Sequence, residues 1–164
     1  MDSDEVAAFW KHARVRGKVA WLEAFIGQHR ESTLPPPAFS FAPEPHVAQD
    51  MAEAVLDGRR TAVSTLRSEF PSDDDLPRVG DLAIVLDGHE HPVALIRTVE
   101  VRVRPFAEVD EQHARGEGEE SVQAWQRRYW TSLGADEGSE VVLERIALVF
   151  PQVAEATGQV HQYT

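Results

Sequence analysis

The sequence feature that most constrains the fold is the pattern of residues 93–104. Apolar side chains stand at every second position from Val99 to Val103, with polar or charged side chains between them. A period of two is typical of a strand that has one face against a core and the other in water. An Asp-Gly turn signal at Asp87 separates this segment from the apolar run Leu82–Leu86, so the two predict an antiparallel hairpin.

Amphipathic helices are predicted on both sides of this strand region. Apolar residues recur at intervals of three and four in residues 6–13, 19–26, 47–56 and 122–133. Residues 106–114 also have a helical pattern, and strands are predicted over residues 61–66 and 141–150. Helices beside short antiparallel strands make an α+β domain, and strands this short bury a core best by curling into a small barrel.

A proline run, Pro35-Pro36-Pro37, divides the chain. Proline fixes its own backbone angle and has no amide N–H, so this run favours an extended connector. We therefore predict an N-terminal helical extension (1–32), a Pro-rich connector (33–46), the main domain (47–150) and a C-terminal tail (151–164). Trp10 and Trp21 are expected to pack the extension on the main domain or on a partner subunit, which leaves a homodimer open.

The composition limits the classes of partner. The formal net charge is −12, and nucleic-acid affinity depends largely on basic residues that neutralise phosphates. This balance argues against extended duplex DNA and leaves a local basic cleft for one nucleotide or a short strand. The absence of cysteine excludes disulfides, thiolate nucleophiles and Cys-ligated zinc. With no long apolar run and an acidic start, the expectation is a soluble cytoplasmic protein without a membrane partner.

Histidines and aromatic residues receive structural interpretations at this stage. His89 and His91 resemble a metal pair in composition alone, so no metal or other cofactor is predicted. His113 is expected to be a half-buried packing histidine rather than a base. Three aromatic residues of the last predicted helix are expected to be core and helix-packing residues rather than platforms for base stacking: Trp125, Tyr129 and Trp130.

Five segments follow one another in a characteristic order. They are the run from Met51 to Ala62, Pro77-Arg78-Val79-Gly80-Asp81, the run from Arg104 to Asp110, Glu117-Gly118-Glu119 with Trp125 behind it, and the run from Val142 to Ile146. In this order and spacing they resemble the ASCH domain family, from about Phe39 to Phe150. The resemblance implies a PUA-like antiparallel β-barrel with flanking helices, related in fold to RNA-binding modules of pseudouridine synthases. It also implies RNA-linked roles and, in some small members, hydrolysis of the acyl group of N4-acetylcytidine.

The resemblance also identifies site residues. Hydrolytic members have a Lys-Thr-x-Thr run after a helix-capping glycine, and a glutamate shortly after a His-Ala or Phe-Ala pair. Here Arg60 replaces the lysine and Val63 the second threonine, whereas Glu117 matches the glutamate. A guanidinium stays charged and cannot serve as a base, and valine has no hydroxyl for nucleophilic attack. These two substitutions favour binding over catalysis.

The first hypothesis is an RNA- or nucleotide-binding module. A base or short single strand would lie in a cleft between residues 58–65 and the Glu117 loop, with Arg59, Arg60, Thr61 and Glu117 as ligand-binding residues. Arg60 would contact polar oxygens, and Glu117 would accept from an exocyclic amine. In the alternative interpretation, the two arginines only complement the dipole of the preceding helix, and Glu117 lies in a solvated acidic turn.

The second hypothesis is a small amidohydrolase of N4-acylated cytidine. Thr61 or Ser64 would attack the acyl group, Glu117 would move the proton and Arg60 would stabilise the oxyanion. This reaction requires a hydroxyl within hydrogen-bond reach of Glu117. A third hypothesis is a protein-interaction domain that binds through its acidic surface and N-terminal helices.

Overall fold

The computed structural model describes residues 1–16, 34–132 and 134–151. The second predicted helix of the extension, with Trp21, and nearly all of the predicted tail lie outside these residues. The chain divides into two compact units. The first contains Met1–Gly58, Leu82–Arg97 and the chain from Leu148 onward, and the second contains Arg59–Asp81 and Thr98–Ala147.

The described residues form four α-helices and five strands. The helices are α1 (Ser3–Arg16), α2 (Pro45–Leu56), α3 (Glu111–Gly116) and α4 (Val122–Ser132). The strands are β1 (Ala38–Phe39), β2 (Ala62–Leu66), β3 (Leu82–Leu86), β4 (Pro92–Pro105) and β5 (Glu140–Phe150).

The sheet has the strand order β1-β3-β4-β5-β2. In the first unit β3 pairs antiparallel with β4, which confirms the predicted hairpin, and in the second unit β2 pairs antiparallel with β5. The α+β class with flanking helices is confirmed. The sheet is mixed rather than purely antiparallel because β1, which lies in the predicted connector, runs parallel to β3.

Helix α1 contributes to the core of the first unit. Its buried residues Val6, Trp10 and Ala13 pack with strand residues such as Ile84 and Leu95. The spacing of these three residues is the one that predicted the helix, and Trp10 packs on strands of its own chain. Helix α2 starts two residues before its predicted beginning, at a proline whose fixed backbone angle suits a first helical turn.

The second unit brings four segments around one core. Helix α3 packs on both β2 and α4. The core consists of Phe106, Val109, Ala114, Trp125, Tyr129, Ala135, Val141 and Leu143. The helix predicted over residues 106–114 is wrong in its bounds. A 3-10 turn, Phe106–Glu108, ends before α3 because Asp110 caps the new helix, accepting from the His113 N–H at 2.8 Å.

None of the helices in the described ranges is long and apolar enough to cross a membrane.

Candidate functional site

Glu117 is the buried centre of the second unit. It is the C-terminal cap residue of α3 and is only 2% exposed. The next residue, Gly118, has a φ of +89°, a left-handed conformation that glycine adopts without strain and that turns the chain away. The interpretation of Glu117 as part of a solvated acidic turn is therefore wrong.

One carboxylate oxygen of Glu117, Oε1, accepts hydrogen bonds from a cation and a phenol. Arg60 donates from Nη2 to Oε1 at 3.2 Å and from Nη1 to the Glu117 carbonyl oxygen at 3.2 Å. The Tyr129 hydroxyl also donates to Oε1. Arg60 is 5% exposed, so this is a buried ion pair with hydrogen bonds on both partners.

The other oxygen, Oε2, is surrounded by three more polar atoms. Trp125 Nε1 donates to it at 2.8 Å, Ser64 Oγ lies 2.5 Å away and His113 Nε2 lies 2.8 Å away. Together with the contacts of Oε1, these bonds occupy the accepting positions of the carboxylate. Glu117 therefore has little capacity left for a ligand.

The protonation of this cluster follows from its contacts. Burial raises the pKa of Glu117, but the hydrogen bond with His113 and the charge of Arg60 outweigh it, so the pKa lies below its usual value. Burial, and then the negative charge of Glu117, raise the pKa of the Tyr129 phenol. The cluster therefore contains a fixed carboxylate anion and a neutral phenol at neutral pH, and an anion of low proton affinity is a weak base.

Ser64, His113 and Glu117 form a triangle rather than a chain. Ser64 Oγ lies 2.7 Å from His113 Nε2, the same nitrogen that contacts Glu117. In a serine-histidine-acid triad, the serine and the acid contact opposite nitrogens of the ring. The Ser64 hydroxyl has one proton, which it can donate to Glu117 or to His113 but not to both.

A polar cavity of about 280 Å³ lies beside His113. Its lining includes Thr61 and Gly116, whose backbones are joined by a hydrogen bond of 2.7 Å from the Thr61 N–H to the Gly116 oxygen. A Cβ on Gly116 would lie 3.0 Å from Thr61 Oγ1, so the close approach of the two segments favours glycine here. Three charged residues and an amide also line the cavity: Glu100, Arg102, Arg145 and Gln112.

The structure brings most of the predicted site residues together. Arg60, Ser64 and Glu117 share the buried cluster, and Ser64 supplies the hydroxyl that the hydrolase hypothesis requires near Glu117. Thr61 is exposed and faces the cavity, whereas Arg59 is exposed and does not line it. A role of Arg60 limited to the helix dipole does not account for its contacts with Glu117.

Sequence reasoning missed His113 as a member of the site. It is buried, as a packing residue would be, but its ring contacts both Ser64 and Glu117. The available signal was its position four residues before Glu117, which places both side chains on one face of a helix. Burial of Trp125 and Tyr129 is confirmed, whereas Trp130 is 53% exposed and is not a core residue, although its ring contacts Phe106.

At the tip of the β3–β4 hairpin, the side chain of His91 contacts helix α1. His91 Nδ1 lies 2.7 Å from a carboxylate oxygen of Glu5, and this hydrogen bond raises the pKa of His91. Within the described ranges, no group of three or more histidine, aspartate or glutamate side chains is arranged to hold a metal ion.

Comparisons with known proteins agree with this architecture. A protein from Enterococcus faecalis V583 has a similar crystal structure, with a TM-score of 0.68 and 23% identity over 89% of this chain and 93% of that one. The ASCH domain from Lactobacillus crispatus JV V101 is 25% identical with a TM-score of 0.60, over 82% of this chain and 94% of that one. No curated protein matches the sequence significantly. The similarity to the solved ASCH domain confirms the small α+β PUA-like fold. The family model of the ASCH domain matches residues 37–150 of the sequence. Because this is well over half of the chain, the protein belongs to the ASCH domain family.

Proposed function

We propose that this protein binds RNA or a nucleotide by taking one base-bearing unit into the cavity beside His113. The observation that carries the proposal is the cavity itself, about 280 Å³ in volume and lined by hydroxyl, amide, imidazole, guanidinium and carboxylate groups. This volume lies just below the roughly 300–1,000 Å³ of most small-molecule sites, so it suits one nucleoside-sized unit rather than several stacked bases.

The polar lining offers the groups that recognise bases. Threonine hydroxyls and glutamine amides pair with base edges, and here Thr61 and Gln112 supply them. Thr61 and Gly116 both line the cavity and are joined by a backbone hydrogen bond, which supports a binding cleft between residues 58–65 and the Glu117 loop. Under this proposal Glu117 does not contact the ligand, and its buried carboxylate positions His113 in the cavity wall.

The proposal is tested by titrating the protein with the four ribonucleosides and with short single-stranded RNA, read by calorimetry and thermal shift. Gln112→Ala should weaken binding by about 2- to 12-fold, the loss of one hydrogen bond of roughly 0.5–1.5 kcal/mol. Gln123→Ala is the matched control, since Gln123 is an exposed glutamine of α4 outside this cavity. Absence of binding, or equal effects of the two substitutions, would reject the proposal.

A second candidate function is hydrolysis of an N4-acylated cytidine, favoured by the 2.7 Å contact between Ser64 Oγ and His113 Nε2. Ser64 Oγ would attack the acyl carbon while its proton passes to His113. The C–N bond would then break as His113 returns the proton to N4, and water would hydrolyse the acyl-serine. The position of Glu117 on the same ring nitrogen makes this arrangement poorer than a triad.

Chromatography of N4-acetylcytidine after incubation with the protein tests hydrolysis separately from binding. Release of cytidine and acetate that Ser64→Ala abolishes, with ligand binding retained, would support the reaction. Absence of product from the wild-type protein, or product formation that survives Ser64→Ala, would reject it.

A further inference from the structure

Two arginines in the cavity share one carboxylate oxygen without a hydrogen bond to it. Glu100 Oε1 lies 3.6 Å from Arg102 Nε and 3.7 Å from Arg145 Nε. Protein N–H···O hydrogen bonds span about 2.7–3.2 Å. Glu100 therefore partly neutralises both guanidinium groups and leaves their facing N–H donors unsatisfied by it.

The unsatisfied donor of Arg102 is a buried atom. Its Nε is buried and has no hydrogen-bond acceptor within the part of the chain that the structure describes. Buried donors in native proteins nearly always have a partner, so a buried charged N–H without one in a cavity wall indicates a bound acceptor in the working state.

Asp110 already holds the guanidinium of Arg102 in place before any ligand binds. Its Nη1 donates to Asp110 Oδ2 at 2.7 Å, and the other oxygen of Asp110 caps α3. A side chain already held in place loses less conformational freedom when it binds a ligand. Arg145, in contrast, is half-exposed and free to adjust toward an incoming group.

We propose that Arg102 and Arg145 form an anion subsite in which a phosphate of the ligand displaces the carboxylate of Glu100. This inference rests on the proposed function and names its ligand class, a base that carries a phosphate. Guanidinium groups present forked donors that match phosphate oxygens, and a phosphate offers more acceptors than the one oxygen that Glu100 places between the two arginines. Two of the three charged side chains in the cavity lining are arginines, and Asp110, which pairs with Arg102, is not among the lining residues.

Glu100 then acts as a competitor for the two arginines, and an anion that pairs with them more weakly than this carboxylate does not displace it. Glu100→Gln keeps the size of the side chain and removes its charge, so phosphate-bearing ligands should bind more tightly while nucleosides are unaffected. Arg145→Gln should reduce the affinity for phosphate-bearing ligands to that of the nucleoside. Because Arg145 is half-exposed, this substitution leaves the core intact, whereas Arg102→Gln also breaks the contact with Asp110.

The experiment measures dissociation constants for each ribonucleoside, its 5′-monophosphate, a dinucleotide with one phosphodiester, and inorganic phosphate. A nucleotide that binds about tenfold more tightly than its nucleoside, with a ratio that rises in Glu100→Gln and falls to one in Arg145→Gln, supports the subsite. Arg115→Gln is the control, an exposed arginine of α3 outside the cavity lining, and should leave the ratio unchanged. Comparison of the monophosphate with the dinucleotide shows whether a terminal or an internal phosphate is preferred.

The outcomes separate this inference from the proposed function. Nucleosides that bind as tightly as their monophosphates, or a ratio that Glu100→Gln leaves unchanged, would overturn the anion subsite and leave base binding intact. Inorganic phosphate that binds as tightly as the nucleotides and depends on Arg145 would support the subsite and reject base recognition. If none of these ligands binds, both the anion subsite and the proposed binding function are rejected.

Discussion

The buried ion pair between Arg60 and Glu117 gives the sharpest test of how the site is built. Arg60→Met keeps much of the length and apolar contact of the side chain but removes two hydrogen bonds and the permanent positive charge that pairs with the Glu117 carboxylate. Removing one partner of a buried pair leaves an uncompensated charge and typically destabilises a protein by about 3–5 kcal/mol. Total stabilities of small domains are about 5–15 kcal/mol, so the loss should be large.

The matched control is Arg115→Met in the same unit. Arg115 pairs with Glu111 four residues before it, at 3.6 Å, with the two side chains 66% and 55% exposed. An exposed helical pair of this kind contributes about 0.3–0.5 kcal/mol. Arg60→Met should therefore lower the free energy of unfolding by several kcal/mol more than Arg115→Met does, because the Arg60 pair is buried and the Arg115 pair is exposed.

Urea unfolding at neutral pH, followed by circular dichroism and tryptophan fluorescence, measures both losses. In a Glu117→Gln background the effect of Arg60→Met should shrink, because no buried charge remains to be paired. A loss for Arg60→Met no larger than the loss for Arg115→Met would refute the reasoning, as would an undiminished effect in the Glu117→Gln background.

Three further predictions concern Trp125, Gly88 and the pH dependence of stability. Trp125→Phe keeps an aromatic ring but removes the N–H that donates to Glu117 and part of the buried indole, so the free energy of unfolding should fall by at least about 1.5–3 kcal/mol in urea titrations. Gly88→Ala should destabilise the protein by about 1–3 kcal/mol, because the new Cβ would lie 2.3 Å from the Pro45 carbonyl oxygen, whereas Gly138→Ala meets nothing closer than 3.5 Å and should be neutral in the same assay. The pKa of Glu117 is lower in the fold than its usual 4.5, so its ionised form stabilises the protein above that pH. This stability is lost as the pH falls through the lower folded pKa, and urea midpoints between pH 7 and pH 3 should show a drop that Glu117→Gln reduces.

Local periodicity predicted the elements well, because a helix or strand shows its buried face within a few residues. Trp125 and Tyr129 stand four positions apart, and both are buried as their spacing indicates. Trp130 follows Tyr129 directly and therefore lies about a quarter turn further round α4, on the exposed side. Treating the three aromatic residues as one group overlooked this difference.

The meeting of Arg60 with Glu117 could not be predicted from any local pattern. The two residues are 57 positions apart and come together only because α3 packs on β2. Resemblance to a family linked them, but it did not show that both would be buried or that Trp125 and Tyr129 would direct their polar atoms at the same carboxylate. Hydrophobic periodicity records which side chains are apolar and says nothing about the donors at their ends.

Asp110 joins two parts of the second unit that are otherwise separate in sequence. One of its oxygens holds Arg102, and the other accepts the amide proton of His113 in the first turn of α3. Any group that draws Arg102 away from Asp110, or fixes it there, changes how often that first turn opens. The exchange rate of the His113 amide proton with solvent deuterium is therefore a readout, from inside the protein, of occupancy at a cavity that this proton does not contact.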